Sequence, residues 1–376
     1  MRGNRFNLLI LTVSMLILSG CQGHKVLLTG VINDKAGNSP ENFEVRIFSE
    51  KEKKSDRYFK QASVQSDGAF QVKVRQNHPY IIEVSGDQGS GRIFIPAGKS
   101  DDRIDISYPV IEKIIILHTN DWHFDLNRQE EYTRKIEEIR AGNNDVFLFE
   151  AGDVFVRHGK KWTINDTITK DTLWYGLRAM QMIERMNELG YDIMTLGNHD
   201  LAYINDYTRL ALKNANFPLL AANMEINTDK LPQPKPYTVL RTSTGRKITV
   251  LGLSTDNTKR DGVTELDLNQ TVNKYLYLKK SSDVFLALTH IGLEKDIQLA
   301  SEYPVFDAII GGHSHNLLKE AIVENSVLIA QAGGHSHEVS EKSNEYLGVV
   351  EITLLNGRII DKKGWVIEIG KKPDAM

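Results

Sequence analysis

The sequence predicts an α/β domain that follows a small all-β domain, and three observations lead to this prediction. Short alternating runs separated by turn residues fill the chain as far as Pro109, and continuous apolar runs alternate with helical stretches after it. Asp, Asn and His recur directly after those apolar runs. The only cysteine of the 376 residues ends an apolar segment at the amino terminus. These observations divide the chain into segments 1–20, 21–110 and 111–376.

The amino-terminal segment has the features of an export signal. Arg2 and Arg5 precede an apolar run over residues 6–18, which is too short to span a bilayer comfortably. Small residues then lead into Cys21, and this arrangement resembles a bacterial lipoprotein signal. The resemblance implies a signal peptide over residues 1–20 and a chain anchored to a membrane through lipid on Cys21. The expected location is the bacterial cell envelope, on its periplasmic or its surface face. The alternative is an apolar terminus that ends in a buried core cysteine.

The overall composition excludes several classes of function. Hydrophobic residues make up 41% and charged residues 25% of the chain, which is typical of globular proteins with real cores. The formal net charge is −3, so no nucleic-acid binding is expected. A single cysteine leaves neither an intrachain disulfide nor a metal site with several thiolates.

Segment 21–110 has the pattern of a small β-sandwich. Alternating runs at 26–29, 43–47, 69–74 and 80–84 predict strands, and the Gly, Pro, Asp and Asn between them predict turns. Strands spaced in this way, without a helical stretch, favour a sandwich. The segment carries no group of candidate ligands or catalytic residues, so its role stays open.

Segment 111–376 has the alternation of an α/β domain. Helices are predicted at 128–141 and at 172–189, where Gly190 ends the second. A terminal hairpin is expected around Asn356-Gly357. Strands that alternate with helices define the class as α/β. Continuous apolar runs predict strands covered on both faces at 114–117, 146–149, 193–196, 219–221, 248–253, 284–288, 308–310 and 327–329.

Candidate ligands follow five of these predicted strands. Each group is ordinary alone, as a capped turn or a satisfied core histidine. Ligands of open α/β sheets bind beyond the carboxyl ends of the strands, so the five together predict one site. Asp121 and His123 are two residues apart and would point to the same side in extended backbone. The five groups are Asn120-Asp121-Trp122-His123, Gly152-Asp153, Gly197-Asn198-His199-Asp200, Thr289-His290 and Gly311-Gly312-His313-Ser314-His315.

In this order, the motifs resemble the full motif set of the calcineurin-like metallophosphoesterases. The first motif is Leu117-His118-Thr119-Asn120-Asp121-x-His123, and the other four are those just named. The resemblance covers residues 114 to about 355 and is nearest to the subgroup of bacterial 5′-nucleotidases. It implies a two-sheet αββα sandwich over segment 111–376, in which a pair of facing β-sheets is flanked by helices.

The resemblance also implies a role for each motif residue. Two divalent metal ions would activate water for attack on a phosphoester, and imidazole, carboxylate and amide ligands suit Zn, Mn, Fe or Co. His199 would be the catalytic acid, oriented by Asp200, and the alternative is that His199 only packs. The ligands would be Asp121, His123 and His315 for one ion, Asn198, His290 and His313 for the other, and Asp153 as the bridge.

The function expected from this resemblance is an exported phosphomonoesterase of the 5′-nucleotidase type, acting on a small phosphoester such as a nucleotide. The second domain with which the subgroup recognises the nucleoside is not expected in this chain. A separately encoded partner that supplies substrate binding is therefore a hypothesis. Phe124 stands where the subgroup commonly has glycine.

Two alternatives stay open. The same metal centre would serve a phosphodiesterase acting on cyclic nucleotides or nucleotide-sugars. A non-enzymatic alternative is a surface binding lipoprotein whose metal centre is structural, and the complete ligand set argues against it.

Overall fold

The computed structural model divides the chain into two compact units. The first consists of Met1–Glu112 with Leu354–Arg358, and the second of Lys113–Thr353 with Ile359–Met376. Cys21, the predicted lipid attachment site, lies outside the described residues. The structure describes residues 9–17, 25–33, 43–49, 60–62, 65, 69–75, 80–86, 89–95, 101–106, 111–126, 128–155, 162–164, 167–169, 172–202, 206–229, 231–256, 261–334, 346–355 and 357–369.

The first unit contains two four-stranded antiparallel sheets in its described residues, and no helix. Alternate side chains point inward, because Val45 and Ile47 are fully buried on either side of the half-buried Arg46. The strands are β1 (Leu9–Ile17), β2 (Lys25–Asn33), β3 (Phe43–Ser49), β4 (Lys60–Ala62), β5 (Ala69–Arg75), β6 (Tyr80–Gly86), β7 (Gly89–Ile95) and β8 (Asp101–Ile106). Their order is β5-β2-β1-β8 in one sheet and β4-β3-β6-β7 in the other.

Strand β1 differs from the sequence-based prediction for its segment. The sequence predicts that residues 1–20 form a signal peptide, whereas in the full chain β1 pairs with β2 on one side and with β8 on the other. An uncharged run with β-branched Ile, Thr and Val suits a central strand as well as it suits the apolar part of a signal. Cleavage ahead of Cys21 would remove this strand, and that cleavage stays a prediction. Among the described residues, no helix is long and apolar enough to cross a membrane.

The second unit is built on two six-stranded sheets, with strand orders β14-β13-β10-β9-β23-β24 and β16-β17-β19-β20-β22-β21. The strands are β9 (Ile111–Thr119), β10 (Val146–Glu150), β11 (Trp162–Ile164), β12 (Thr167–Thr169), β13 (Ile193–Thr195), β14 (Leu219–Leu220), β15 (Met224–Ile226), β16 (Tyr237–Arg241), β17 (Lys247–Leu253), β18 (Val263–Glu265), β19 (Val284–Thr289), β20 (Ala308–Ile310), β21 (Ile322–Glu324), β22 (Val327–Ala330), β23 (Tyr346–Leu355) and β24 (Arg358–Glu368). The helices are α1 (Gln129–Gly142), α2 (Thr172–Leu189), α3 (Asp206–Lys213), α4 (Leu268–Tyr275), α5 (Leu293–Glu302) and the 3-10 helix Leu276–Ser281.

Helices cover one face of each six-stranded sheet. On the first sheet, Ile136 of α1 and Ile183 of α2 pack in one buried cluster with Leu148 of β10. On the second sheet, Leu299 of α5 packs in another cluster with Phe285 of β19. The strands at the centre are buried along their length, as the continuous apolar runs predict.

The two sheets of this unit meet at β14 and β17. The backbone N–H of Ala222, just beyond β14, donates to the carbonyl oxygen of Gly252 in β17 at 2.8 Å. The second unit therefore has helices, two sheets and helices in that order. The prediction of an α/β fold with a two-sheet αββα sandwich is confirmed.

Candidate metal centre

The carboxyl ends of β9 and β10 are joined by a continuous run of backbone hydrogen bonds. The two strands are parallel, and their pairing continues into the loops, where Asp121 N–H donates to Gly152 O at 2.9 Å and His123 N–H donates to Asp153 O at 3.0 Å. Phe124 N–H then donates to Val154 O at 2.9 Å. These bonds fix the loops that carry three of the predicted ligands.

Five of the seven predicted ligands have left-handed backbone conformations. The φ angle is 55° at Asp121, 47° at His123, 60° at Asp153, 79° at His313 and 54° at His315. Such conformations cost non-glycine residues about 1–2 kcal/mol each, and strain of this kind concentrates at functional sites. The expectation that Asp121 and His123 share a side through extended backbone is wrong, because a tight turn brings them together instead.

The first predicted set of ligands converges. The Oδ1 atom of Asp121 lies 3.1 Å from Nε2 of His315 and 3.7 Å from Nε2 of His123. The two imidazole Nε2 atoms are 3.3 Å apart. The other nitrogen of His123, Nδ1, lies 3.0 Å from the carbonyl oxygen of Phe155, to which an Nδ1–H donates. That bond directs the Nε2 lone pair of His123 toward the cluster, as in metal-bound histidines.

The second predicted set converges beside the first. Nε2 of His290 lies 3.1 Å from Oδ2 of Asp153, and Nδ1 of His313 lies 2.8 Å from the amide oxygen of Asn198. Nδ1 of His290 is 2.6 Å from Ala151 O, so the same carbonyl anchoring orients this ring. The structure thus brings all seven predicted ligands together.

The donor set fits divalent metal ions. Asp121 with His123 and His315, and Asp153 with His290 and His313, each form a group whose ligand atoms lie within 4.8 Å of one another. Among the described residues, Asp121 Oδ1 and His290 Nε2 are buried atoms that make no hydrogen bond. Buried polar atoms that point at one another without hydrogen bonds require another partner, and a cation would provide it.

Both carboxylates of the cluster are held in the charged form. Burial alone would raise the pKa of Asp121, but the adjacent imidazoles of His315 and His290 bring it below its usual value. Burial also opposes ionisation of Asp153, and the charge of the adjacent His290 lowers its pKa well below the usual range. Metal ligands must be deprotonated, so this electrostatic arrangement suits the proposed use of both residues.

His199 lies at the open side of the cluster. Its ring packs edge-on to His123 with 4.8 Å between ring centroids, and its Nε2 is 3.9 Å from Oδ2 of Asp153. Its side chain is 15% exposed, whereas those of His123 and His290 are fully buried. The backbone N–H of His199 donates to Oδ1 of Asp153 at 2.7 Å.

Asp200 accepts three backbone hydrogen bonds from the loops around the cluster, and its role in orienting the His199 ring stays a prediction. Its Oδ2 accepts the backbone N–H groups of Asp153 and Gly197 at 2.9 and 2.8 Å, and its Oδ1 accepts that of Phe155 at 3.0 Å. Through these three hydrogen bonds, the carboxylate of Asp200 joins the loop after β10 to the loop after β13. Burial and the nearby charge of Asp153 raise the pKa of Asp200 to about 7.

Sequence reasoning assigned no role to Asn120, which is buried next to Asp121. Its Nδ2 donates to Oδ2 of Asp121 at 2.7 Å and to Gly333 O at 2.5 Å, and its Oδ1 accepts the N–H of Ala332 at 2.9 Å. The available signal was its position inside the first motif, directly before a ligand. Gly333 begins a second Gly-Gly-His-Ser-His copy in the sequence, whose histidines 335 and 337 lie outside the described residues.

Close packing beside Asp153 explains one of the motif glycines. A Cβ atom on Gly197 would lie 2.1 Å from Oδ1 of Asp153 and 2.5 Å from its backbone nitrogen. Only glycine allows this approach. The backbone at this position can therefore approach the carboxylate of Asp153 only because residue 197 is glycine.

Comparison with known proteins gives the class. The sequence profile of the calcineurin-like phosphoesterases matches residues 114–317, more than half of the chain. The chain belongs to the calcineurin-like phosphoesterase family. The prediction of a metallophosphoesterase related to 5′-nucleotidases is confirmed, and the metal-ligand roles of individual residues stay predictions.

Several proteins to which the chain is similar are described as nucleotide phosphoesterases or 5′-nucleotidases. The trifunctional nucleotide phosphoesterase protein YfkN of Bacillus subtilis is 28% identical over 297 residues, which cover 67% of this chain and 18% of that protein. A snake venom 5′-nucleotidase of Gloydius brevicauda is 27% identical over 306 residues, covering 69% and 47%. The structure of a 5′-nucleotidase precursor from Thermus thermophilus aligns with a TM-score of 0.54 at 22% identity, covering 68% of this chain and 54% of that one. The chain thus spans about half or less of the length of these curated relatives.

Proposed function

We propose that this chain is a phosphomonoesterase of the 5′-nucleotidase type that uses two divalent metal ions. The observation that carries the proposal is the position of Asp153. Its carboxylate lies against His290 on one side and within reach of His199 and His123 on the other. A shared carboxylate with separate imidazole groups on each side is what a two-metal site requires.

The residues of the chain have distinct tasks in this proposal. Asp121, His123 and His315 would hold one ion and Asn198, His290 and His313 the other. When bound, the ions supply polarisation of the phosphoryl group and a water of lowered pKa. His199, at the open side, stands where it can donate a proton to the leaving oxygen or stabilise charge that develops there. Asn120 and Asp200 hold the ligand loops in place.

Nucleotides are the proposed substrate class. This proposal is supported by the similarity of the chain to a nucleotide phosphoesterase and to a 5′-nucleotidase. A separately encoded partner that contributes to substrate binding is part of this proposal, and it rests on the family resemblance alone. Efficient hydrolysis of nucleoside monophosphates with clear base preference by the purified chain alone would rule out the need for that partner.

One experiment tests the activity. The purified chain is stripped of metal with a chelator and reconstituted with Zn²⁺, Mn²⁺, Fe²⁺ or Co²⁺, and turnover is measured on p-nitrophenyl phosphate, bis(p-nitrophenyl) phosphate and AMP. We expect metal-dependent turnover of the monoesters. The bis ester reports on the phosphodiesterase alternative, and its preferred hydrolysis would replace the proposal.

Asp153→Asn is the decisive variant for the two-metal centre. It is expected to lower turnover by more than about 100-fold, since even partners outside the ligand set are worth 10–100-fold. Asp361→Asn, at an exposed aspartate of β24, is the matched control and should leave turnover unchanged. Unchanged turnover in Asp153→Asn would instead favour a structural metal centre.

Export and anchoring form a separate part of the proposal, supported by the signal-like sequence before Cys21. The intact mass of the protein from the membrane fraction is expected to correspond to a chain that begins with an acylated Cys21. Cys21→Ser should shift the protein from the membrane fraction to the soluble fraction. A mature chain that retains residues 1–20 would overturn this part and leave the enzymatic part intact.

A further inference from the structure

Helix α5 places a carboxyl group directly behind the proposed metal centre. The helix follows β19, which ends at Thr289, and Asp296 lies in its first turn with no exposed surface. Most aspartates in the first turn of a helix face solvent and interact with the helix dipole. Burial of this one is costly unless partners offset it.

The partners of Asp296 lie next to predicted ligands. Thr289, the residue before His290, donates its hydroxyl to Asp296 Oδ1 at 2.6 Å. Gln331, just beyond β22, donates its side-chain amide to Asp296 Oδ2 at 3.1 Å. One carboxylate therefore ties the carboxyl end of β19 to that of β22.

Gln331 extends the connection to the loop that carries two further ligands. Its Nε2 also lies 3.3 Å from Gly312 O, the carbonyl before His313, and its Oε1 accepts the hydroxyl of Ser314 at 3.1 Å. Ser314 stands between His313 and His315, so both residues are flanked by these bonds. Gln331 is fully buried, like Asp296.

Ser314 also forms a hydrogen bond to the first residue of helix α5. The hydroxyl of Ser314 accepts the backbone N–H of Leu293 at 3.0 Å, at a helix terminus where Gly292 offers no side-chain cap. A Cβ atom on Gly311 would lie 2.1 Å from Oδ2 of Asp296, so the carboxylate packs directly on the backbone of the ligand loop. The side chains of Thr289, Asp296, Ser314 and Gln331 therefore form one hydrogen-bonded network. It joins helix α5, the carboxyl ends of β19 and β22, and the loop after β20.

We propose that Asp296 and Gln331 are positioning residues that set the metal affinity of His290, His313 and His315. The inference rests on the proposed function, since it assigns these two residues to the same metal centre. Neither residue touches the ions in this proposal. They hold three ligands from β19 and from the loop after β20 in one arrangement, as outer partners of metal ligands do.

The hydrogen-bond partners of Asp296 favour a role in positioning the ligands over a purely structural role in helix α5. Burial raises the pKa of Asp296 to about 7, and the hydrogen bonds from Thr289 and Gln331 act in the opposite direction. Burial thus disfavours the charged form of this carboxyl group. Its hydrogen bonds to Thr289 and Gln331, and those of Gln331 to the loop after β20, reach residues adjacent to three predicted ligands.

The test measures Co²⁺ binding by the full chain after removal of metal with a chelator. Bound metal is determined by elemental analysis, dissociation constants by titration, and ligand geometry by the visible absorption of Co²⁺. Asp296→Ala removes the carboxylate, and Gln331→Met removes both amide functions at similar volume. Glu294→Ala, at an exposed position of the same turn of α5, is the surface control. Leu299→Ala, at a buried apolar position of α5, is the control for helix destabilisation.

Wild type and Glu294→Ala are expected to bind two equivalents with the same affinity. Asp296→Ala and Gln331→Met are expected to raise the dissociation constant of at least one equivalent by about 10–100-fold and to change the Co²⁺ spectrum. Leu299→Ala should lower the melting temperature while it leaves the Co²⁺ spectrum and affinity near those of wild type. Should Asp296→Ala fail to fold, Gln331→Met decides.

Two results would overturn the inference alone. One is wild-type Co²⁺ affinity in both network variants, and the other is an equal loss of affinity in Leu299→Ala, which would make the effect a general one of helix stability. If wild type itself bound no Co²⁺, the proposed metal centre would fail first and the positioning role with it. The two failures are therefore distinguishable.

Discussion

Asp200 Oδ2 accepts the backbone N–H of Asp153 at 2.9 Å, so the residue after His199 holds the backbone of the predicted bridging residue. The same carboxylate also accepts N–H groups of Gly197 and Phe155. The loops after β10 and β13 are therefore fixed by one buried side chain. Asp200 therefore contributes to the stability of the site through these backbone hydrogen bonds.

Asp200→Asn is expected to lower the free energy of unfolding by about 1–3 kcal/mol, because the amide retains a single acceptor oxygen and leaves a buried N–H without a partner. Urea denaturation of the metal-stripped protein measures this. Asp361→Asn, at an exposed position, should leave stability unchanged. Unchanged stability of Asp200→Asn together with a loss of turnover above about 100-fold would return Asp200 to the role of orienting His199.

His199→Asn is expected to lower kcat for AMP by about 10²–10⁴-fold while the metal content stays at the wild-type level, since a general acid contributes that much without holding the ions. The loss should be smaller for p-nitrophenyl phosphate, whose leaving group needs no proton. Elemental analysis and steady-state kinetics give both readouts. His199 also falls in a candidate ligand group with His123 and Asp153. A loss of bound metal in the variant would make it a ligand instead.

The site was predictable from sequence because its signal is local. Each predicted ligand follows a buried apolar strand, and the rule that ligands gather at carboxyl ends then brings five distant motifs together. The same locality limits the prediction. Nothing near Asp121 in the sequence shows that Asn120 and Ala332, which are 212 residues apart, form a hydrogen bond.

Asp296 and Gln331 also could not be connected from the sequence. Asp296 and Gln331 are 35 residues apart, and neither belongs to a motif. Helix α5 was not predicted either, because a ten-residue helix between two apolar strands leaves a weak periodic signal. Strand β1 shows a different limit, since an uncharged apolar run is compatible with a signal peptide and with a strand.

Phe124→Gly tests which of two opposing effects dominates at a position where the related subgroup commonly has glycine. The φ angle of 63° disfavours any residue other than glycine, by about 1–2 kcal/mol. The ring, however, is buried among Phe155, Trp174 and Tyr175, with centroid distances of 5.5, 6.2 and 4.9 Å. Loss of a buried phenylalanine side chain costs about 3–5 kcal/mol. We therefore expect a net destabilisation of about 1–4 kcal/mol, measured by urea denaturation.

Phe124→Leu is the control for this prediction, because it keeps apolar bulk and the same backbone penalty. It should be destabilised less than Phe124→Gly. If the glycine variant were as stable as wild type, the backbone strain at this turn would outweigh the aromatic packing.

Glu150 gives a prediction on pH and stability. This residue ends β10 with no exposed surface and accepts a hydrogen bond from the hydroxyl of Thr119, which is itself 2.6 Å from the hydroxyl of Tyr191. Burial raises the pKa of Glu150 well above its usual value of 4.5, and the bond from Thr119 opposes this only in part. The folded state thus keeps a proton that the unfolded chain releases.

Between those two pKa values the folded state binds one proton more, so the contribution of Glu150 to the free energy of unfolding falls as pH rises, by about 1.4 kcal/mol per pH unit. Glu150→Gln removes the titration and keeps an acceptor for Thr119. We expect its stability relative to wild type to increase as the pH rises above about 5, measured by urea denaturation in chelator. Glu188→Gln, at an exposed position of α2, should show a flat difference over the same range. A flat difference for Glu150→Gln would mean that the buried carboxyl ionises with no penalty from its surroundings, and water or a cation would then have to reach it in the folded protein.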